Sequence, residues 1–168
     1  MALDIEQISA TLEITDALAR YCRSMDRMDD ELAVSLWHPD GTVDYGEGLF
    51  TGTAAAFVAW LRPVHDGYDT TTHRIANVIV RVTGDTAVSE GYGHVMLARR
   101  HDDLITVRHT YGRYLDRWSR RGDRWAIDHR SYVRDLGWVT ADEAVAGTGG
   151  GARDLTDPSY GLLGTLHD

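Results

Sequence analysis

Apolar residues recur at three- and four-residue spacing between Asp4 and about Met25, at Ile5, Ile8, Leu12, Ala19 and Cys22. That period predicts an amphipathic helix with Asp4 as its N-cap. A second helix is predicted from about Asp29 to Trp37, capped by Asp29 or Asp30, and His38-Pro39-Asp40-Gly41 reads as the turn that ends it. A short strand from Thr42 to Tyr45 and a glycine-punctuated loop from Gly46 to Gly52 come next. Thr53 then caps a third helix, which carries Phe57, Val58, Trp60 and Leu61 and stops before Pro63.

From Thr70 onward the pattern is that of strands. Segments at 70–82, 87–101, 104–118 and 124–138, joined by short turns, make an antiparallel meander, and helices followed by a meander define an α+β domain. With Gly84-Asp85, Asp102-Asp103 and Arg121-Gly122 as two-residue loops, counting outward brings His73 near Met96, His94 opposite Tyr111, His109 opposite Arg134 and Tyr111 opposite Tyr132. One face then collects His73, Asn77, Tyr92, His94, Tyr111, Arg130, Tyr132 and Arg134, and reads as the wall of a polar-lined cavity beneath the helices. The other collects Val78, Val80, Tyr114, Trp118 and Trp125, too apolar for open water, and predicts a homo-oligomer. A one-residue bulge in any strand reverses its faces, and Gly91, Gly93 and Gly112 are places where strands bulge or bend.

A chain of 168 residues, 43% of them hydrophobic, suits one compact domain, placed at residues 1–138. Residues 139–168 form an extension with a glycine hinge at Gly147-Thr148-Gly149-Gly150-Gly151 and an apolar patch at Tyr160-Gly161-Leu162-Leu163, expected to dock on its own or a neighbouring subunit and to cover the pocket. The net charge of -9 argues against nucleic acid and anionic membranes as partners. All 17 basic residues are arginine, so a Schiff base is excluded and any fixed positive charge in a site is a guanidinium, which suits carboxylates. Cys22 is the single cysteine and is read as a packing residue. With neither a leader pattern nor a membrane-length apolar run, the expectation is a soluble cytoplasmic protein.

Among His73, His94 and His109 there is no metal-binding spacing, and no serine elbow, phosphate loop or dinucleotide fingerprint occurs anywhere, so neither metal nor cofactor is expected. Each histidine could simply bond a carbonyl or a tyrosine in the structure. An acid–base role requires a carboxylate to orient the ring and a second donor for a leaving or developing oxyanion. Asp26 and Tyr21 are candidates for those two roles.

The strings Tyr21-Cys22-Arg23-Ser24-Met25-Asp26, Leu36-Trp37-His38-Pro39-Asp40-Gly41, Val43-Asp44-Tyr45-Gly46, Thr72-His73, Gly112-Arg113-Tyr114-Leu115-Asp116-Arg117-Trp118 and Trp125-Ala126-Ile127 follow one another in a helix, helix, strand, helix, meander order. This succession resembles the SnoaL-like branch of the nuclear transport factor two-like superfamily over about residues 5–138. The resemblance implies a cone-shaped, cystatin-like barrel, with three N-terminal helices packed on a curved, mostly antiparallel sheet. By motif the chain is similar to the cofactor-independent lyases of that branch: scytalone dehydratase, hexachlorocyclohexane dehydrochlorinase and bile acid 7α-dehydratase. The resemblance implies catalytic roles for His73, Asp26 and Tyr21, with Arg134 on a substrate carboxylate or other negative charge. His94, Tyr111, Tyr92, Tyr132 and Asn77 are the remaining expected substrate-binding residues. Where the dehydrochlorinase has an active-site lysine this chain has Tyr21, which argues against that substrate. The expected function is a dehydratase acting on a hydrophobic oxygenated small molecule of steroid, polyketide or terpenoid type, working as a dimer or trimer. A ketosteroid-isomerase-like isomerase or cyclase, and a non-catalytic binding or dioxygenase-β-like subunit, are the alternatives.

Overall fold

The structure is a computed structural model that describes residues 4–143 and 150–167. Helix α1 (Ile5–Asp26) starts from a capping box in which Asp4 accepts from the Gln7 backbone and Gln7 reaches back to Asp4. Its buried stripe is Ala10, Ile14, Leu18, Tyr21 and Met25, whereas Ile5, Ile8 and Leu12 are exposed. The helix thus carries two apolar stripes. The sheet takes the one that runs from Ala10 to Met25, not the one the early spacing suggested. Helix α2 (Asp30–Ser35) is capped by Asp29, and α3 (Ala54–Asp66) by Thr53.

Two boundaries differ from expectation. Strand β1 (Trp37–Asp44) begins before the expected turn, and His38-Pro39-Asp40-Gly41 forms an irregular stretch within it, where the register against the last strand shifts. Helix α3 continues through Pro63. The carbonyl left without its usual donor belongs to Ala59, which is exposed, so water can satisfy it.

Strands β2 (Thr51–Thr53), β3 (Thr70–Thr83), β4 (Thr86–His101), β5 (Leu104–Arg121) and β6 (Arg124–Glu143) complete one curled, open six-stranded sheet in the order β2-β1-β6-β5-β4-β3. All neighbours are antiparallel except β1 and β6. The helices pack on one face, which makes the α+β, cystatin-like architecture expected from the resemblance. A short fourth helix, α4 (Pro158–Leu163), lies in the C-terminal segment.

Register decides which residues meet beneath the helices. The β4–β5 pairing is as counted, with His94 opposite Tyr111. Between Ala76 and Ile79 the β3–β4 pairing slips by one residue, around Asn77, whose φ of 51° places it in the left-handed region. Asparagine tolerates that conformation better than most residues. His73 therefore lies opposite Val95 rather than Met96. In the β5–β6 hairpin the turn falls one residue later than expected and two irregularities follow, so Asp116 lies opposite Arg130, Tyr114 opposite Tyr132 and Tyr111 opposite Leu136.

The inner face accordingly holds Tyr114, Trp118, Ile127 and Val80, packed on Ile14, Leu18 and Tyr21. This is the face expected to seek another subunit; it is instead the core of the chain. Two glycines on it let aromatic rings lie against the sheet. A Cβ on Gly93 would stand 2.7 Å from the Tyr114 ring, and one on Gly112 would stand 2.6 Å from the Tyr132 hydroxyl.

The described part of the C-terminal segment returns to the helices. Arg23 bonds Ser159 at 2.6 Å and lies 4.5 Å from the Tyr160 ring centroid, while Arg153 donates to the carbonyls of His65 and Tyr68. Of the expected glycine hinge, residues 147–149 lie outside the described residues.

Candidate active site

Strand β3 is an edge strand, so alternate N–H groups along it have no strand to bond. Asp26, the last residue of α1, supplies the missing acceptor at His73. Its two carboxylate oxygens accept from the His73 N–H at 3.0 and 2.9 Å. Oδ1 also accepts from Thr71 Oγ1 at 3.2 Å and from His73 Nδ1 at 2.7 Å. A carboxylate at a helix C-terminus is disfavoured by the helix dipole, and these donors hold it there. With Nδ1 donating to Asp26, Nε2 is the nitrogen left to take a proton. The side chains of Asp26 and His73 are only 14% and 6% exposed, so bulk water competes weakly for either.

His65, near the end of α3, sits with its ring centroid 5.3 Å from that of His73. Burial, followed by the charges of His73, Arg153 and Arg62, lowers its pKa to about 3, which keeps it neutral. Tyr21 presents its ring edge-on to His73 at 6.5 Å, and its hydroxyl lies 3.3 Å from that of Tyr45. Burial raises the pKa of Tyr21, Tyr45 and Tyr114, and pushes Tyr132 up to about 12, so each remains a protonated donor near neutrality.

Arg130 stands among these rings, with its guanidinium carbon 4.3 Å from the Tyr21 ring centroid and 4.5 Å from that of Tyr114. Asp116 accepts from its Nε at 2.7 Å and from Nη2 at 2.8 Å, and neither side chain is exposed. The remaining nitrogen, Nη1, is buried without a hydrogen-bond partner. An unmade bond on a buried cation is costly, and a ligand oxygen is one way to satisfy it.

The inner site thus unites His73, Asp26 and Tyr21, with Tyr132 alongside, as expected from the sequence. The other expected substrate-binding residues are elsewhere. His94, Tyr111 and Tyr92 lie on the outer face, because β4 and β5 keep their counted register while the bulge moves His73 to the inner one. There His94 stacks on Tyr111 at 4.1 Å, and His109 stacks on Trp138 at 4.9 Å. Asn77 forms the bulge and is exposed. Arg134 shares the inner parity of Tyr132 but is exposed at the rim, with its guanidinium beside Gly137.

His65, Tyr45, Thr71 and the Arg130–Asp116 pair were not singled out as site residues from the sequence. Reading Pro63 as a helix end hid His65. Asp116 and Arg130 become partners only in the shifted register, which no local motif announces. Among the described residues, no three His, Cys, Asp or Glu side chains cluster as metal ligands. No described helix is long and apolar enough to cross a membrane.

A curled, open sheet with helices on one face and a histidine–carboxylate pair where α1 meets its edge strand defines the class. The SnoaL-like domain model matches residues 6–131, and the chain belongs to that family. Over 88 residues it is 32% identical to an uncharacterized protein of Mycobacterium tuberculosis, a match covering 52% of this chain and 60% of that protein. An uncharacterized protein of Mycobacterium bovis matches to the same extent, so the chain spans 60% of the length of these relatives. Among solved structures, a type 2 hexachlorocyclohexane dehydrochlorinase is similar with a TM-score of 0.73 and 17% identity, over 88% of this chain and 99% of that one. A protein assigned as a scytalone dehydratase, from Novosphingobium aromaticivorans, gives 0.67 and 16%, over 83% and 91%. A cystatin-like protein of unknown function from Nostoc punctiforme gives 0.61 and 21%, over 80% and 96%. At these identities the structural likeness establishes the fold.

Proposed function

We propose that the chain is a cofactor-independent lyase, a dehydratase that removes water from a hydrophobic, oxygenated small molecule of steroid, polyketide or terpenoid type. The observation that carries this reading is the hydrogen bond from His73 Nδ1 to an Asp26 carboxylate fixed by further donors. Nε2 of His73 takes a proton from the carbon next to an activating carbonyl, and Asp26 stabilises the imidazolium that forms. The C–H electron pair becomes the new double bond as the C–O bond to the leaving hydroxyl breaks. The departing hydroxyl accepts a proton, for which Tyr21 and Tyr45 are the donors at hand. Arg130 Nη1 is the group best suited to the developing enolate oxygen, since it alone of that guanidinium's nitrogens is both buried and unpartnered. The structural relatives bearing dehydrochlorinase and dehydratase names are consistent with elimination.

A second reading, an isomerase or cyclase of ketosteroid-isomerase type, is favoured by the same Arg130 Nη1 and neutral tyrosines, which suit an enolate whether or not a group then leaves. The exposed rings of the outer face support operation as a homo-oligomer, dimer or trimer, and a single-chain mass by light scattering would remove that part of the reading.

The experiment is a mass-spectrometric screen of wild type and His73→Ala against hydroxylated steroids, polyketides and terpenoids. A product lighter by one water with wild type alone is the expected result. A product of unchanged mass moves the assignment to isomerase or cyclase. Binding by both proteins without conversion leaves a binding subunit.

A further inference from the structure

Between the C-terminal end of α3 and the inner face of β4, β5 and β6 lies a groove of about 380 Å³ that the chemistry above does not use. Arg99, His101 and Arg108 line it together with Tyr68, Leu97 and Val139, and no carboxylate is among its lining residues. Arg99 is held in place: its Nε donates to the Gly67 carbonyl, and its guanidinium carbon lies 5.6 Å from the Tyr68 ring centroid. Arg108 has no ion pair among the described residues. This is unusual company for a chain of net charge -9, where Arg62, Arg113, Arg120, Arg121 and Arg130 each meet a carboxylate.

The groove adjoins the candidate dyad. Leu97 lies opposite Thr71, whose hydroxyl bonds Asp26, and the Tyr68 N–H bonds the carbonyl of His65. Along β4, Arg99 is four residues beyond Val95, the partner of His73, which is about 13 Å of strand. A ligand that reaches from one to the other has an apolar body and a charged end.

We propose that the groove binds an anionic group, a carboxylate or a phosphate, carried on the substrate about 10–15 Å from the reacting carbon, a span set by the strand rise. Arginine forks match both anions, and the absence of lining acids lets the local field attract a negative tail despite the acidic chain. The substrate class is therefore an amphiphile with a terminal anion rather than a wholly neutral ring system. This rests on the reading of His73 as the base.

The test is calorimetric binding of dodecanoate, dodecyl phosphate and dodecanol, each below its micelle-forming concentration, which needs no turnover. Wild type is expected to bind one or both anions about tenfold or more tightly than dodecanol, as charge-assisted hydrogen bonds imply. The stronger anion identifies the tail as carboxylate or phosphate. Arg99→Gln/Arg108→Gln is expected to lose the preference, Arg108→Gln alone, which leaves the Gly67 contact intact, to reduce it, and Arg81→Gln/Arg117→Gln on the outer face to keep it. Equal binding of dodecanol and both anions by wild type, or a preference retained in the double variant, overturns the proposal. The preference is expected to persist in His73→Ala, so a failed lyase screen and a failed groove are separate results. Anionic substrates dehydrated equally fast by wild type and by Arg99→Gln/Arg108→Gln would sink the groove and leave the lyase standing.

Discussion

The two faces of one sheet use the same residue types to opposite ends. Inside, His73 and Arg130 each have a dedicated carboxylate and are closed off from water. Outside, His94, His109, Tyr111 and Trp138 stack ring on ring, and Tyr111 and Trp138 are about two-fifths exposed at 39% and 41%. A histidine on a strand is not chemical by identity. It becomes so when burial leaves it one charged partner and one free nitrogen.

The contrast breaks most severely at the buried pair. Asp116→Ala strands the Arg130 charge and is expected to cost about 3–5 kcal/mol in urea unfolding, whereas Arg130→Met/Asp116→Leu recovers most of that loss. Next comes Gly112→Ala, whose Cβ would meet the Val133 carbonyl at 2.4 Å; about 1–3 kcal/mol is expected by the same measurement.

His65 sharpens the comparison through pH. Its folded pKa of about 3 lies below the unfolded value near 6.5, so its contribution is complete above about pH 6.5 and is lost as pH falls toward 3. His65→Gln is expected to flatten stability over that window, by at most about 1.4 kcal/mol per pH unit. Thermal melts of both proteins from pH 7 to 4 read this directly, and parallel curves would remove the assignment. The smallest effect belongs outside. Tyr111→Ala loses two exposed stacks, on His94 and on Trp138, and is expected to cost about 0.5–1 kcal/mol in the same melts.

Much of the fold was legible because helix caps and turn residues are local signals. Asp4, Asp29 and Thr53 cap the helices they were expected to cap, and Asp102-Asp103 sets the β4–β5 register correctly. The pairing of His73 with Asp26 was legible through resemblance. What escaped were the quantities that accumulate along a strand. A bulge at Asn77 and two irregularities in β5–β6 each shift every later pair of their own hairpin, so His73 faces inward opposite Val95 and Asp116 meets Arg130. Asn77 was visible as an unusual residue inside a strand of valines and isoleucines, yet no single sequence says on which side of it the slip falls.

That slip has an evolutionary reading. Side-chain facing along β3 behaves like a reading frame, and Asn77 is where the frame changes between the hairpin end and His73. A substitution there that resists the left-handed conformation and straightens the strand would leave His73 and Asp26 in the gene, pair His73 with Met96 and turn it toward solvent, whereas deleting the extra residue would keep His73 opposite Val95. Lineages could therefore lose the His73–Asp26 pairing, or regain it, through a change at Asn77 that no comparison of those two residues would register.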